Sequence, residues 1–373
     1  MNTLKRFLRE DRATLGGIAV LLLLIALEKY IGPESVGLMG VMMILLGLFS
    51  VMLWCAFNVV HHAEALATRL GEPYGTLILT LAVIVIEVAL ISAVMLTGAD
   101  SPTIARDTMM AVIMIAMNLL VGISLVVGGI RHRTQVYNLE GANAFLTVLI
   151  PLAVFGLIMP SFTSSAPGGE VSALQAVYLS LVSVVLYGIF LIIQTVTHSD
   201  IFQQPAGEGE LDHDTAEGTD SDDSTLYHAV TLIVALLPII LLAKLFANYM
   251  DRVIAGSGLP VALGGIMVAI LILTPEGLSA IRAAQRNALQ RAVNLCLGSA
   301  LASIGMTLPA VIAISLLTGY PLVLGLGIVE AIMLALTLLV GVVTFVSERT
   351  NVMQGAVHLA LFFGYLIMVF DGA

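Results

Sequence analysis

Apolar runs of about twenty residues, parted by short polar breaks, repeat along the chain. A helix of that length crosses roughly 30 Å of hydrocarbon, and in lipid each run must be helical because a spanning segment has to satisfy its own backbone hydrogen bonds. The breaks predict eleven spans, at about 14–31, 38–62, 74–97, 107–130, 141–160, 171–196, 226–247, 258–281, 291–317, 321–346 and 352–370. The first run follows a basic start at Lys5, Arg6, Arg9 and Arg12, but no small-residue cleavage site follows Glu28 and Lys29, so it reads as a span and not a signal peptide. One break is long and hydrophilic: Gln203 to Ser224 holds eight acidic residues and no Lys or Arg. The expected organisation is an extra N-terminal segment (1–35), a first five-helix repeat (36–200), an acidic linker (201–225) and a second five-helix repeat (226–373).

Composition excludes a soluble class, with 59% hydrophobic residues, 11% charged and a mean hydropathy of +1.05. The fold class is an all-α polytopic membrane protein. The positive-inside rule tests the arrangement. With the N-terminus inside, Lys5, Arg6, Arg9, Arg12, Arg69, Arg131, Arg133, Arg282, Arg286, Arg291 and Arg349 fall on the cytoplasmic side, against Lys29, Arg106 and Arg252 outside and Lys244 within a span. Eleven against three fits eleven crossings, N-terminus in and C-terminus out. Five spans per half is an odd number, so the second half enters inverted, as in many secondary transporters. Cys55 and Cys296, in different halves, read as packing residues.

Candidate chemistry lies inside two of the runs. Glu87 follows Gly75 by twelve residues and Glu276 follows Gly264 by the same twelve, so both pairs are offset by 189. An ionisable group near the bilayer centre is costly and marks a functional site by default. Each glutamate lies about 18 Å along its helix from the matched glycine, roughly half a bilayer measured from opposite faces. Thr274, Pro275, Glu276 and Gly277 form an expected helix break that frees carbonyls as ligands. The 189 offset also maps Asn118 onto Thr307, and Ser299, Ser303 and Thr307 recur every four residues on one helix face. Two carboxylates with amide, hydroxyl and carbonyl oxygens make a hard-oxygen site suited to Ca²⁺, or to Na⁺ with fewer anionic ligands. No Cys/His set points to zinc or copper. Asn118 and the hydroxyl face have a second reading, as interhelical bonding and close packing. Glu140 and Glu330 match at an offset of 190, with Glu330 nine residues into its expected span, as accessory proton-path candidates. His61, His62 and Glu64 close the second span without the HExxH spacing of a zinc protease, leaving His62 a gating or relay candidate.

These segments resemble the cation/Ca²⁺ exchanger superfamily, in particular its bacterial ChaA-type branch of calcium (sodium, potassium)/proton antiporters. The resemblance rests on Gly71 to Thr80 leading to Glu87, on Gly264 to Gly277, and on Gly298 to Pro309, and it covers essentially the whole chain. It implies a secondary antiporter, not an enzyme, in which the glutamate of each repeat binds cation and proton in turn by alternating access. The carry-over is to Glu87 and Glu276, then Asn118 and Ser299. The wider family's Gly-Asn-Ala/Pro before each glutamate is here Ile84-Val-Ile and Leu273-Thr-Pro, so a polar ligand is missing in the first repeat. The expected activity is Ca²⁺/H⁺ exchange across the bacterial inner membrane, with Na⁺/H⁺ or K⁺/H⁺ exchange as the alternative. The expected partners are lipid, transported cations, protons and, in a homo-oligomer, further copies of the chain. No cofactor and no nucleic acid is expected. The acidic linker reads either as a tether or as a Ca²⁺ sensor. An ATP-driven pump is excluded by the absence of a P-loop or any soluble stretch long enough for a nucleotide domain.

Overall fold

The computed structural model describes residues 11–71, 74–97, 102–205 and 225–372, so the acidic stretch of the linker lies outside the described residues. These residues form eleven helical segments: α1 (Arg12–Ile31), α2 (Leu38–Leu70), α3 (Tyr74–Thr97), α4 (Ile104–His132), α5 (Leu139–Phe162), α6 (Ala173–Thr197), α7 (Thr225–Ser257), α8 (Ala262–Gln285), α9 (Leu289–Thr318), α10 (Ile328–Thr344) and α11 (Val352–Asp371). Among the described residues, nine are long and apolar enough to cross a membrane; α1 and α10 are shorter apolar helices. Their ends are set by local chemistry. Ser172 with Gln175, and Asn351 with Gln354, form capping boxes that satisfy the first amides of α6 and α11. Gly319 ends α9 in the left-handed conformation.

Three expected boundaries are corrected. Helix α2 runs on from residue 62 to Leu70, and α7 from 247 to Ser257, so His62 and Arg252 lie on helix and not at a span end or in a loop. Both helices outrun a bilayer, and their amphipathic tails continue the apolar period that marks the span itself. The tenth helix starts late. Residues 321–327 form an extended strap whose amides at Val323, Leu324 and Leu326 donate to the carbonyls of Pro102, Gly169 and Leu157. Glycine makes this possible: a Cβ on Gly325 would lie 2.3 Å from Ser161 Oγ and 2.6 Å from Gly169 Cα. Glu330 therefore sits in the first turn of α10, not nine residues into a helix.

Packing divides the chain into two units. The first contains α1, α2, α3, α7 and α8 up to Ile272. Here α1 wedges between its neighbours, because a Cβ on Gly17 would lie 2.8 Å from both Cys55 Sγ and Pro238 Cβ. At one end Tyr249 Oη donates to the Ile31 carbonyl at 2.7 Å, and at the other Asp11 meets His62 and Tyr227.

The second unit holds α4, α5, α6, α9, α10, α11 and α8 from Leu273. Its loops bond in two separate sets. In one set β1 (Gln135–Val136) pairs antiparallel with β2 (Arg349–Thr350), His132 Nε2 lies 2.9 Å from the Gln285 carbonyl, and Gln290 N donates to Gln204 Oε1 at 3.0 Å. In the other set Arg106 Nη1 donates to the Gly325 carbonyl at 2.7 Å and Ser161 Oγ to the Leu326 carbonyl at 2.6 Å. Helices α4 and α11 touch backbone to backbone: a Cβ on Gly355 would lie 2.7 Å from the Gly122 carbonyl oxygen. Gly355→Val should therefore cost about 1–3 kcal/mol of overpacking. The check is the thermal midpoint in detergent, where a midpoint equal to wild type would contradict the contact.

Candidate functional site

Glu276 is positioned by the proline before it. Pro275 has no N–H to give the Leu271 carbonyl, yet α8 continues as one helix from Ala262 to Gln285. The expected break at Thr274 to Gly277 is thus corrected: the helix lacks one backbone donor at Pro275 but is not interrupted. Gly277 brings the neighbouring helix close, since a Cβ there would lie 2.6 Å from Leu120 Cδ2 of α4. The Glu276 side chain is 9% exposed, and Ser299 Oγ of α9 hydrogen-bonds its Oε2. The same hydroxyl reaches the Leu295 carbonyl at 2.8 Å. A hydroxyl has one proton, so when it goes to Leu295 the contact to Glu276 requires the carboxyl to be the protonated partner. Thr274 is half-buried one residue before Pro275.

Glu87 is 2% exposed, on α3 in the first unit, and is a buried carboxyl in an apolar helix of its own.

Four π-helical turns lie among the described residues, at Val154–Ile158 of α5, at Ile193–Thr197 of α6 and in the two helices that follow the glutamate helices. Residues Ile115–Leu120 of α4 and Ser303–Thr307 of α9 are π-helical. The first turn carries Asn118 and the second Thr307, the pair related by the 189 offset. Such turns recur at functional sites because the extra residue displaces carbonyls from the regular ladder. Ser303 and Thr307 are both buried on this turn of α9. Thr307 Oγ1 is buried with no hydrogen-bond partner among the described residues.

Asn118 is fully enclosed and fully engaged. Its Nδ2 donates to Thr337 Oγ1 at 2.9 Å and faces Met114 Sδ at 3.6 Å, and its Oδ1 lies 3.0 Å from His358 Nδ1. Sequence reasoning passed over Thr337 and His358. His358 carries the same signal as the glutamates, an ionisable side chain in an apolar run, and the same rule would have found it.

The remaining candidates lie elsewhere. Glu140 is exposed in the first turn of α5, where its amide is capped by Asn138. Glu330 folds back toward Gly327 and shares electrostatic reach of Tyr365 with Asp107, a buried carboxylate paired with Arg106 Nε at 2.9 Å. His62 belongs to a buried cluster in the first unit. Its Nε2 lies 2.7 Å from Asp11 Oδ1 and its Nδ1 3.0 Å from His228 Nδ1, while Tyr227 Oη donates to Asp11 Oδ2 at 2.9 Å. Burial pushes the Asp11 carboxyl up, but hydrogen bonds from His62, Asn58 and Tyr227 outweigh it and hold the group below its ordinary value.

Apolar helices with exposed aliphatic side chains and buried polar turns define a multi-pass, membrane-embedded transport protein. The model of the sodium/calcium exchanger protein family matches residues 39–196 and 227–370, and the chain belongs to that family. Over 315 residues it is 44% identical to the sodium-potassium/proton antiporter ChaA of Escherichia coli (strain K12), covering 84% of this chain and 85% of that one. The solved structure of native YfkE aligns over 97% of this chain and 99% of its own, with a TM-score of 0.74 at 17% identity. That of the H⁺/Ca²⁺ exchanger CAX aligns over 97% and 89%, with a TM-score of 0.67 at 13% identity. The chain is a cation/proton antiporter of a bacterial family, a secondary transporter and not an enzyme.

The Asp11 cluster gives a pH prediction. A carboxyl with a depressed folded pKa contributes stability that is fully present above its ordinary value of 3.8 and lost as pH falls through the lower folded value. Asp11→Asn should lower the detergent melting midpoint at pH 7, and its gap to wild type should close in acid below that value. A gap that stays constant down to pH 3 would show that Asp11 acts by shape alone.

Proposed function

We propose that the chain exchanges Ca²⁺ for protons across the bacterial inner membrane by alternating access, with Glu87 and Glu276 as the cation- and proton-exchanging carboxylates. The observation that carries this reading is the pair of glutamates, at matched sequence positions and both withdrawn from solvent. In an apolar surrounding a carboxylate charge is costly, so a proton or a cation beside it stabilises each glutamate. The occupants exclude each other, which is the requirement for exchange. Ser299, Asn118 and the Thr307 hydroxyl supply neutral oxygens as further ligands, with Thr274 and Ser303 on the same helices.

The proposed topology is eleven crossings, as an extra first helix and two inverted five-helix repeats, with a cytoplasmic N-terminus and a periplasmic C-terminus. Two observations support it. Two of the four π turns, those of α4 and α9, fall at corresponding positions of the two halves. In the second unit, the loops that bond to one another are those that the Lys/Arg distribution assigns to one side.

A second reading is monovalent exchange, of Na⁺ or K⁺ for H⁺ at the same carboxylates. It is favoured by the 44% identity to the Escherichia coli sodium-potassium/proton antiporter ChaA. Everted membrane vesicles decide both points. With Glu87→Gln or Glu276→Gln, ΔpH-driven cation uptake should fall to background, and Ser299→Ala should raise the cation KM by about threefold to tenfold for one lost ligand bond. Wild-type rates in either glutamine variant would sink the carboxylate mechanism. Ca²⁺ uptake that is unaffected by excess Na⁺ and K⁺ identifies the divalent antiporter; uptake abolished by them identifies the monovalent one.

A further inference from the structure

The last helix contributes one ionisable side chain that the exchange reading does not use. His358 of α11 is fully buried, and its ring bridges two other helices. Nδ1 lies 3.0 Å from Asn118 Oδ1 on the π turn of α4, while Nε2 lies 2.9 Å from Thr344 Oγ1 at the end of α10.

The direction of every proton in this chain follows from its far end. Met114 Sδ cannot donate. Thr337 Oγ1 donates to it at 3.3 Å, so that hydroxyl is left to accept from Asn118 Nδ2 at 2.9 Å. The amide oxygen then faces His358, and Nδ1 must carry the proton because that oxygen can only accept. Neither ring nitrogen is bonded to a carboxylate, and a charged imidazolium buried without a counter-ion is costly. The ring is therefore neutral, Nε2 is a lone pair, and Thr344 donates to it. One hydrogen-bonded series runs Thr344, His358, Asn118, Thr337, Met114, with every donor pointing the same way.

We propose that His358 is a positioning residue for the cation site: its Nδ1–H fixes the Asn118 amide with one oxygen lone pair engaged and the other left to the ion. This rests on the reading of Asn118 as a ligand. Without the imidazole, the amide is held at its nitrogen end alone, by Thr337, and its oxygen loses the donor that fixes its direction within the π turn.

The test uses the full-length chain in proteoliposomes, with ΔpH-driven uptake of Ca²⁺ and of Na⁺ measured separately. His358→Phe keeps the volume and removes the donor. It should raise the cation KM about fivefold to tenfold with Vmax within about twofold, the size expected for one lost hydrogen bond to a ligand. His358→Asn places an amide nitrogen where Nδ1 stands and should return KM to within about twofold of wild type, whereas His358→Gln, which mimics Nε2, should not. In an Asn118→Ala background, His358→Phe should add nothing, because the two act as one unit. Equal KM values for His358→Phe and His358→Asn, or shifts that multiply in the double variant, would overturn the proposal and make the ring a packing element. If Asn118→Ala alone leaves KM at wild type, the ligand reading of Asn118 fails and the proposal falls with it; a raised KM there with a silent His358→Phe overturns the proposal alone. Should His358→Phe fail to fold, Thr344→Val serves instead: it frees Nε2 and unlocks the tautomer, and should raise KM about twofold to threefold, while an unchanged KM would count against the positioning role.

Discussion

A carboxyl group inside hydrocarbon has two tolerable states, one with a proton and one with a cation close by. Glu87 and Glu276 impose that choice on the helices around them, and the surrounding sequence keeps both options open. Pro275 removes a backbone donor one position before Glu276 without ending the helix, so one carbonyl loses its internal partner. Gly277 lets the π turn of α4 approach the same level of α8. Ser299 stands between a carboxyl oxygen and a backbone carbonyl, where a single hydroxyl proton can serve either neighbour. Ser299 thus sets an oxygen against the carboxyl without adding a charge.

Much of this was legible from residue types alone. Apolar runs located every helical segment, because nothing but a helix satisfies the backbone in lipid. The glutamates and Asn118 stood out as polar groups where polarity is costly, and Ser299 was named from its place on the following helix. The ends were harder. Helices α2 and α7 continue past the apolar run on an amphipathic face, which looks from sequence like the start of a loop. The strap before α10 is as apolar as a helix, and only Gly325, set against the backbone of Gly169, betrays that it is extended.

The π turns left almost no trace in the sequence. In α9, Pro309 lacks the N–H that would close the helical bond to Gly305, a local reason for the ladder to slip just upstream. In α4 no proline or glycine marks the turn at Ile115–Leu120, and the cause lies in packing: Asn118 is held from outside its own helix by Thr337 and His358. A hydrogen bond between helices far apart in sequence cannot be read from either one. The same limit hid the Asp11, His62 and His228 cluster, whose members come from three segments of the first unit.

The matched positions of the two halves are unequal in chemistry. Asn118 has its amide committed on both ends, and its direction is fixed before any ion arrives. Thr307, its counterpart by the 189 offset, holds a buried hydroxyl with no hydrogen-bond partner among the described residues. A ligand oxygen already held in place loses little freedom on binding, while an uncommitted one is ordered only by the ion. Sequence symmetry therefore brings two similar turns to corresponding places, and side-chain partners make one of them rigid and the other adaptable. An exchanger that must hold a cation and then release it to a proton gains from that division. In the proposed mechanism the fixed amide would give the ion a defined seat, and the adaptable hydroxyl would turn away when the carboxyl takes up its proton.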